Sequence, residues 1–367
     1  MSTQTLPRRR RLLRRAVEVV DAVAAPHGVD RYVELAVPTW SSTDVRARIV
    51  RVARTTTGTV TLTLRPNANW TGFRAGQHTQ VSVEIDGVRH TRCYSLASSA
   101  HRRDGLIELT VKAHPNGTVS RYLVDNAAEG MVVGLSVAQG VFVLPDVRPS
   151  RLLLISGGSG ITPVMSMLRT LCDEGHEGQI TFVHYALTEA DHVYRDELAR
   201  LDAAHANVRV VRVYTDAPGT GDLDGFFTPP QLGAAEPAWR DASAYVCGPA
   251  PLMDAVRAHF ADAGLADRYH DEAFTLATVV AESTGGTITF AGSGESVLDD
   301  GRPLLLQAED AGLSPESGCR MGICHTCTRS LECGTVRNVI TGELTDAAGA
   351  AIRICVSAAV GEVAIDL

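Results

Sequence analysis

Apolar and polar positions along the chain fall into three regimes. From Asp44 to Pro145 they alternate in short runs: "VRARIVRVAR", "GTVTLTLRP", "TQVSVEIDG", "LIELTVKAH" and "GLSVAQGVFVLP". A period of two, punctuated by turns and nearly free of helical spacing, predicts a small antiparallel β-barrel. The pattern changes at Leu152. Leu152 to Ile155 is a continuous apolar run, as suits a parallel strand buried on both faces. After Gly157-Gly158-Ser159-Gly160, the residues Ile161, Val164, Met165, Leu168 and Leu171 recur at helical spacing. "QITFVHYAL", "VRVVRVY" and "SAYVCGPAPLMDAV" continue the alternation, which predicts a parallel α/β layer. The third regime begins near Gly286. There "GTITFAGSG" alternates into a turn, "SVLDDGRPLLLQAEDAG" predicts a helical segment, and "GEVAIDL" predicts a closing strand.

Leu152 to Leu168 is uncharged over about the length of a short spanning helix, but a glycine loop and Pro163 break it, so no membrane span is expected. The 367 residues suit several domains, and a net charge of −8 argues against a nucleic-acid partner. Against that acidic body, Arg8, Arg9, Arg10, Arg11, Arg14 and Arg15 crowd together near the start. Glu18 and Asp21 interrupt the apolar stretch behind them, so a secretory signal is not expected and the protein reads as cytoplasmic. The arginines form either a solvated tail or a peripheral contact with an anionic membrane.

A glycine loop that feeds a helix start can cradle a phosphate, because unpaired N–H groups and the helix dipole favour an anion. In a parallel sheet, ligands sit at the carboxyl ends of strands. Gly157–Gly160 and the turn at Cys247-Gly248-Pro249 both fall at such ends and could line one crevice. Gly117 to Ser120, in "HPNGTVSRYL", offers another such start inside the barrel region. Before it stands "RCYS", Arg92 to Ser95, where strand alternation separates Arg92 and Tyr94 from Cys93 and Ser95.

Eight cysteines in a long chain without a secretory signal argue against a disulfide framework. Cys319, Cys324 and Cys327 give C-x4-C-x2-C, and Cys355 follows 28 residues later. This is the plant-type 2Fe-2S spacing. Structural zinc sites usually pair two short C-x2-C knuckles, and only one pair here is that close. Gly318 and Gly322 allow the loop to wrap and point N–H groups at sulfur. His325 reads as a solvent-facing loop residue.

From about Gly286 onward the chain resembles a plant-type ferredoxin domain, a small β-grasp fold. From about Asp44 to Phe274 it resembles the ferredoxin–NADP reductase superfamily. That resemblance implies FAD held by Arg92 at the pyrophosphate, by Tyr94 stacked on the isoalloxazine, by Ser95 near N5, and by Gly117 and Ser120 at the pyrophosphate. It places Gly157, Gly158, Ser159, Gly160, Thr162 and Pro163 at the nicotinamide dinucleotide. It sets Cys247, Gly248 and Pro249 beside the nicotinamide, and Glu272 and Phe274 near the flavin edge. Ser95, Cys247 and Glu272 are the expected catalytic residues.

The expected organisation is a basic extension (1–43), a FAD-binding barrel (44–148), an NAD(P)-binding α/β domain (149–275), a linker (276–285) and a 2Fe-2S domain (286–367). The implied reaction carries electrons from NAD(P)H through FAD and the cluster to a protein acceptor. The arrangement most resembles actinobacterial reductases that partner membrane acyl desaturases. A soluble Rieske or cytochrome P450 oxygenase is the alternative acceptor, and a cluster-binding redox sensor is the alternative outside enzymes. Thr215-Asp216, where NADP-specific members carry Ser-Arg, leans the coenzyme towards NADH, although the desaturase-type relatives are taken to use NADPH.

Overall fold

A computed structural model of the chain describes residues 33–34, 36–115, 117–274, 285–318, 322 and 325–367. The six N-terminal arginines and most of the expected linker lie outside the described residues. The rest falls into two compact units. One holds the described residues up to His90 together with Tyr94–Leu144 and Met165–His176. The other holds Thr91–Cys93, Pro145–Val164 and the described residues from Glu177 onward.

The alternating region forms six strands: β1 (Val45–Thr56), β2 (Thr59–Pro66), β3 (His78–Ile85), β4 (Val88–Ser95), β5 (Ile107–Lys112) and β6 (Val132–Leu135). Their order is β4-β3-β6-β1-β2-β5. Leu96, just past β4, bridges Leu109 of β5, and the Ala97 N–H donates to the Glu108 carbonyl at 2.8 Å. The two sheet edges therefore meet and the sheet curls into a barrel. Ile49, Leu62, Leu64, Val81, Leu109 and Val111 fill it, all essentially buried, as their alternation requires. Helix α1 (Thr118–Asn126) follows β5 and buries Val119 and Leu123.

Only the start of "GLSVAQGVFVLP" is strand. Past β6 the chain is irregular, tied to β3 by reciprocal His78–Gln139 backbone bonds of 3.0 and 2.8 Å. Gly140, at φ +114, breaks the period of two.

In the first unit the second half of helix α2 (Ile161–Glu174) is fastened to the segment after β4. Ser166 Oγ donates to the Ser98 carbonyl at 2.7 Å. Arg169 Nη1 donates to the Ala97 carbonyl at 2.7 Å and pairs with Glu108 Oε1 at 2.8 Å.

The middle region is a six-stranded parallel sheet. Its strands are β7 (Arg151–Gly157), β8 (Gln179–Ala186), β9 (Val208–Tyr214), β10 (Leu223–Asp224), β11 (Ser243–Cys247) and β12 (Tyr269–Glu272), in the order β10-β9-β8-β7-β11-β12. All the pairings are parallel. Besides α2, its helices are α3 (Arg195–Ala204), α4 (Pro229–Ala235) and α5 (Ala250–Asp262). The chain enters at β7, builds outward to β10, then returns to the other side of β7 for β11 and β12. That reversal creates a switch point between β7 and β11. "YHDE" shows no strand pattern, yet it forms β12, because an edge strand needs little apolar cover.

The last region has β13 (Thr287–Phe290), β14 (Glu295–Leu298), α6 (Leu304–Asp310), β15 (Thr328–Asn338), β16 (Leu344–Thr345), β17 (Ala351–Arg353) and β18 (Ser357–Ile365). β13 runs parallel to β18, and β15 antiparallel to it, in the order β14-β13-β18-β15-β16 with β17 on β15. Leu304, Leu305 and Ala308 of α6 are buried in the core of this sheet. This is the β-grasp arrangement. "SVLDDGRPLLLQAEDAG" is not helical throughout: its first residues pair with β13 in a hairpin, and the helix waits until after Pro303. No helix among the described residues is long and apolar enough to cross a membrane.

Candidate functional site

The carboxyl ends of β7, β11 and β12 lie in register: Cys247 pairs with Ser156 on one side and Glu272 on the other. The expected nucleotide loop caps the first of these ends. Gly158 takes φ +52, within a tight turn over Gly158–Gly160 that leads straight into α2. A β-carbon on Gly157 would stand 2.8 Å from Pro249 Cδ, and one on Gly160 would stand 2.2 Å from the Cys247 carbonyl oxygen. The two glycine turns are thus packed backbone to backbone, as the sequence expectation of a shared crevice requires. Ser159 is exposed, and Thr162 Oγ1 donates to its carbonyl at 3.2 Å, closing the loop from within. Cys247 is fully buried. Burial pushes its thiol well above the ordinary range, and Glu272 and Asp271 add to the shift. The side chain is therefore a neutral, polarizable wall rather than a thiolate nucleophile.

Asp216 is exposed just beyond β9. Its N–H donates to the Leu187 carbonyl at 2.9 Å, and its carboxylate accepts from Thr215 Oγ1 at 2.8 Å. Two cations nearby in the fold are already engaged. Arg212 makes a bidentate pair with Asp222, at 2.9 Å for both bonds. Arg195 pairs with Glu189 at 2.8 Å and Asp196 at 3.0 Å.

Arg92, Tyr94 and Ser95 occupy the end of β4. Arg92 is half-buried, with Nη1 donating to the Thr91 carbonyl at 2.8 Å, and Tyr94 packs against the barrel core. Ser95 is 4% exposed, and its Oγ has no hydrogen-bond partner among the described residues. A buried hydroxyl left unpaired costs about 1–3 kcal/mol, which a bound molecule with a polar atom there would offset. Gly117 is the N-cap of α1, where no side chain caps the helix. Ser120 Oγ instead turns back, accepting from the His114 N–H at 3.1 Å and donating to the Gly117 carbonyl at 3.4 Å. A β-carbon on Gly117 would stand 2.3 Å from that hydroxyl, so a larger residue there would displace the Ser120 side chain. The uncapped first turn of α1 keeps N–H donors for an anion. Glu272 is buried and Phe274 half-buried just past β12.

Of the four cluster cysteines, Cys319 and Cys324 lie outside the described residues. Cys327 and Cys355 are 2% and 3% exposed. Antiparallel pairing of β15 with β17 brings them together across 28 residues. Thr328 faces Arg353, and the Ile354 N–H donates to the Cys327 carbonyl at 3.3 Å. Gly322, at φ +73, donates its N–H to Cys355 Sγ at 3.3 Å. A buried thiol pair with a backbone donor aimed at sulfur fits an iron–sulfur centre. His325 is exposed on the loop, as the sequence suggests.

One cluster escaped the sequence reading. Ser156 Oγ meets His184 Nδ1 at 2.8 Å, the rings of His184 and His192 lie 4.6 Å apart, and His192 Nδ1 meets Tyr214 Oη at 3.1 Å. Strand alternation around His184 marks burial but cannot show that four polar groups meet.

A nucleotide crevice at a switch point, a barrel with an orphaned buried hydroxyl, and a β-grasp thiol pair define an electron-transfer flavoprotein with an iron–sulfur centre. Family models match in the same order: an oxidoreductase FAD-binding domain at residues 48–143, an oxidoreductase NAD-binding domain at 154–258, and a 2Fe-2S iron-sulfur cluster binding domain at 288–360. The chain belongs to the ferredoxin–NADP reductase family, in the branch that carries a C-terminal 2Fe-2S domain.

It is 37% identical over 354 residues to an NADPH oxidoreductase of Mycobacterium tuberculosis, covering 95% of this chain and 91% of that one. It is 31% identical over 320 residues to the glycine betaine monooxygenase reductase subunit of Pseudomonas aeruginosa, covering 80% and 87%. Among solved structures it is similar to phthalate dioxygenase reductase, with a TM-score of 0.61 and 26% identity over 88% of this chain and 97% of that one. The protein is therefore an NAD(P)H-dependent oxidoreductase that takes FAD and a 2Fe-2S cluster.

Proposed function

We propose that this reductase delivers its electrons to an oxygenase component, a separate protein, and that it prefers NADH. When bound, the three groups supply the chemistry: hydride passes from NAD(P)H to FAD, and electrons then leave singly through the 2Fe-2S cluster. The chain's residues bind, orient and shield these groups. By the family resemblance Arg92 and the first turn of α1 would hold the FAD pyrophosphate, and Tyr94 and Ser95 would meet the ring. Gly157, Gly158, Ser159, Gly160, Thr162 and Pro163 cradle the dinucleotide over Cys247, Gly248 and Pro249. By the same resemblance Glu272 and Phe274 would serve the flavin, and Cys319, Cys324, Cys327 and Cys355 would hold the iron.

The coenzyme preference rests on Asp216. A carboxylate at the end of β9 repels a 2′-phosphate and accepts from a ribose hydroxyl, while Arg195 and Arg212 are already occupied by carboxylates. The name of the Mycobacterium tuberculosis relative points the other way, to NADPH. Steady-state reduction of a dye with each coenzyme decides it. A kcat/KM ratio that favours NADPH more than tenfold overturns the preference.

The acceptor rests on a named relative of matching length, the reductase subunit of a monooxygenase. A membrane acyl desaturase is the second reading. It draws on the arginines near the start of the chain, which would hold the protein weakly to an anionic leaflet. Capture from native cytosol and membranes, with the reduced protein as bait, separates the two. Recovery of an oxygenase component that the protein then reduces supports the first reading. Recovery of a desaturase that turns over with the full chain, but not without residues 1–15, replaces it with the second.

A further inference from the structure

The cluster loop has an anchor outside its four cysteines. Arg353 ends β17, two residues before Cys355. Its Nη1 donates to the carbonyl oxygen of Gly322. The N–H of the same Gly322 donates to Cys355 Sγ at 3.3 Å. The glycine is crowded as well as bonded: at φ +73, a β-carbon on it would meet Val356 Cγ2 at 2.9 Å. Arg353 is itself held at both ends. Its backbone pairs with Thr328 of β15, and its carbonyl accepts from the Val356 N–H at 2.9 Å and from Ser357 Oγ at 3.0 Å. One half-buried guanidinium thus joins the end of β17, just before the turn that carries Cys355, to the loop residue that bonds its sulfur.

We propose that Arg353 is a positioning residue for the 2Fe-2S cluster. It pins the Gly322 peptide so that its N–H stays on the ligand sulfur, and it places a positive charge beside the site. Both effects favour the more negative, reduced form of a cluster, because hydrogen bonds to sulfur and local charge set its reduction potential. The pinned loop also slows loss of iron. The inference rests on the cluster reading, whose own failure would appear as zinc in place of iron in the parent protein.

The test compares anaerobically purified full-length parent with Arg353→Met, Arg353→Lys and Arg353→Gln. Arg337→Met serves as a control, removing one charge further along β15. Iron and FAD content establish that each variant is loaded. Redox titration and the rate of iron capture by a chelator are then read. Arg353→Met should lower the equilibrium constant for cluster reduction at least tenfold, ~59 mV for one electron, and speed iron loss about tenfold. Arg353→Lys, which keeps charge and a donor, should recover most of both, and Arg337→Met should match the parent. Parent values in Arg353→Met overturn the proposal. So does an equal shift in Arg337→Met, which would show a general charge effect. Should Arg353→Met hold no cluster, Arg353→Lys standing above Arg353→Gln in potential supports the role, and equality of both with the parent overturns it.

Discussion

Gly160 faces the carbonyl oxygen of Cys247 so closely that a β-carbon on the glycine would stand 2.2 Å from it. At Gly160 the nucleotide loop after β7 meets the turn after β11 through backbone atoms, with no side chain there to yield. Gly160→Ala should therefore force the two turns apart. The expected cost is about 1–3 kcal/mol of stability, with KM for NAD(P)H raised at least tenfold by the disturbed cradle, on the order of 1.4 kcal/mol. Thermal unfolding and dye-reduction kinetics measure the two effects. A variant with parent melting and parent KM would show that the loop relaxes freely.

Ser95→Ala tests whether the orphaned hydroxyl belongs to the flavin. The side chain is buried and its Oγ bonds to no described residue, so its removal should leave the flavin-free protein within about 0.5 kcal/mol of the parent or slightly more stable. Hydride transfer, read by stopped-flow bleaching of the flavin, should slow about tenfold to a hundredfold. Loss of stability with an unchanged rate would make Ser95 a structural residue.

Arg169 and Glu108 are each about 15% exposed at the side chain and lie 2.8 Å apart. Arg169→Ala leaves the carboxylate with Arg102 at 3.8 Å as a weaker partner. It also removes the donor to the Ala97 carbonyl. A loss of about 3 kcal/mol is expected, read as a lower melting temperature. The double variant Arg169→Met with Glu108→Leu should recover much of it.

Acid should loosen the nucleotide domain through His192. The imidazole is 3% exposed, and burial, helped by Arg212 and Arg195, lowers its pKa to about 4 from 6.5. Above pH 6.5 both folded and unfolded chains hold it neutral, so it has no effect. Between pH 6.5 and 4 the unfolded chain binds the proton and the folded chain does not, so stability falls as pH falls, by about 3 kcal/mol in all. Protection factors of the β9 amides, which correct exchange for its intrinsic pH dependence, should fall from pH 7.5 to 4.5, and less so in His192→Gln. An unchanged acid response in that variant would assign the loss to other groups.

The three-part layout was legible along the chain, because period-two runs, buried apolar runs before glycine loops and cysteine spacing are local patterns. "GTVTLTLRP" could scarcely be anything but a strand, and C-x4-C-x2-C with a distant fourth cysteine matches a 2Fe-2S loop better than the paired knuckles of structural zinc. The glycine loops were legible for the same reason. Which distant residues meet came from the folded chain. β12 was invisible in "YHDE" because an edge strand borrows its hydrogen bonds from β11 and needs no apolar alternation. "GLSVAQGVFVLP" promised a long strand, but β6 stops at Leu135 and the chain beyond it is irregular. Cys327 and Cys355, Gly160 and Cys247, and Ser156, His184, His192 and Tyr214 come together through sheet register and strand order. Register is a relation between segments, set by which faces can be buried together, so no one-dimensional periodicity carries it.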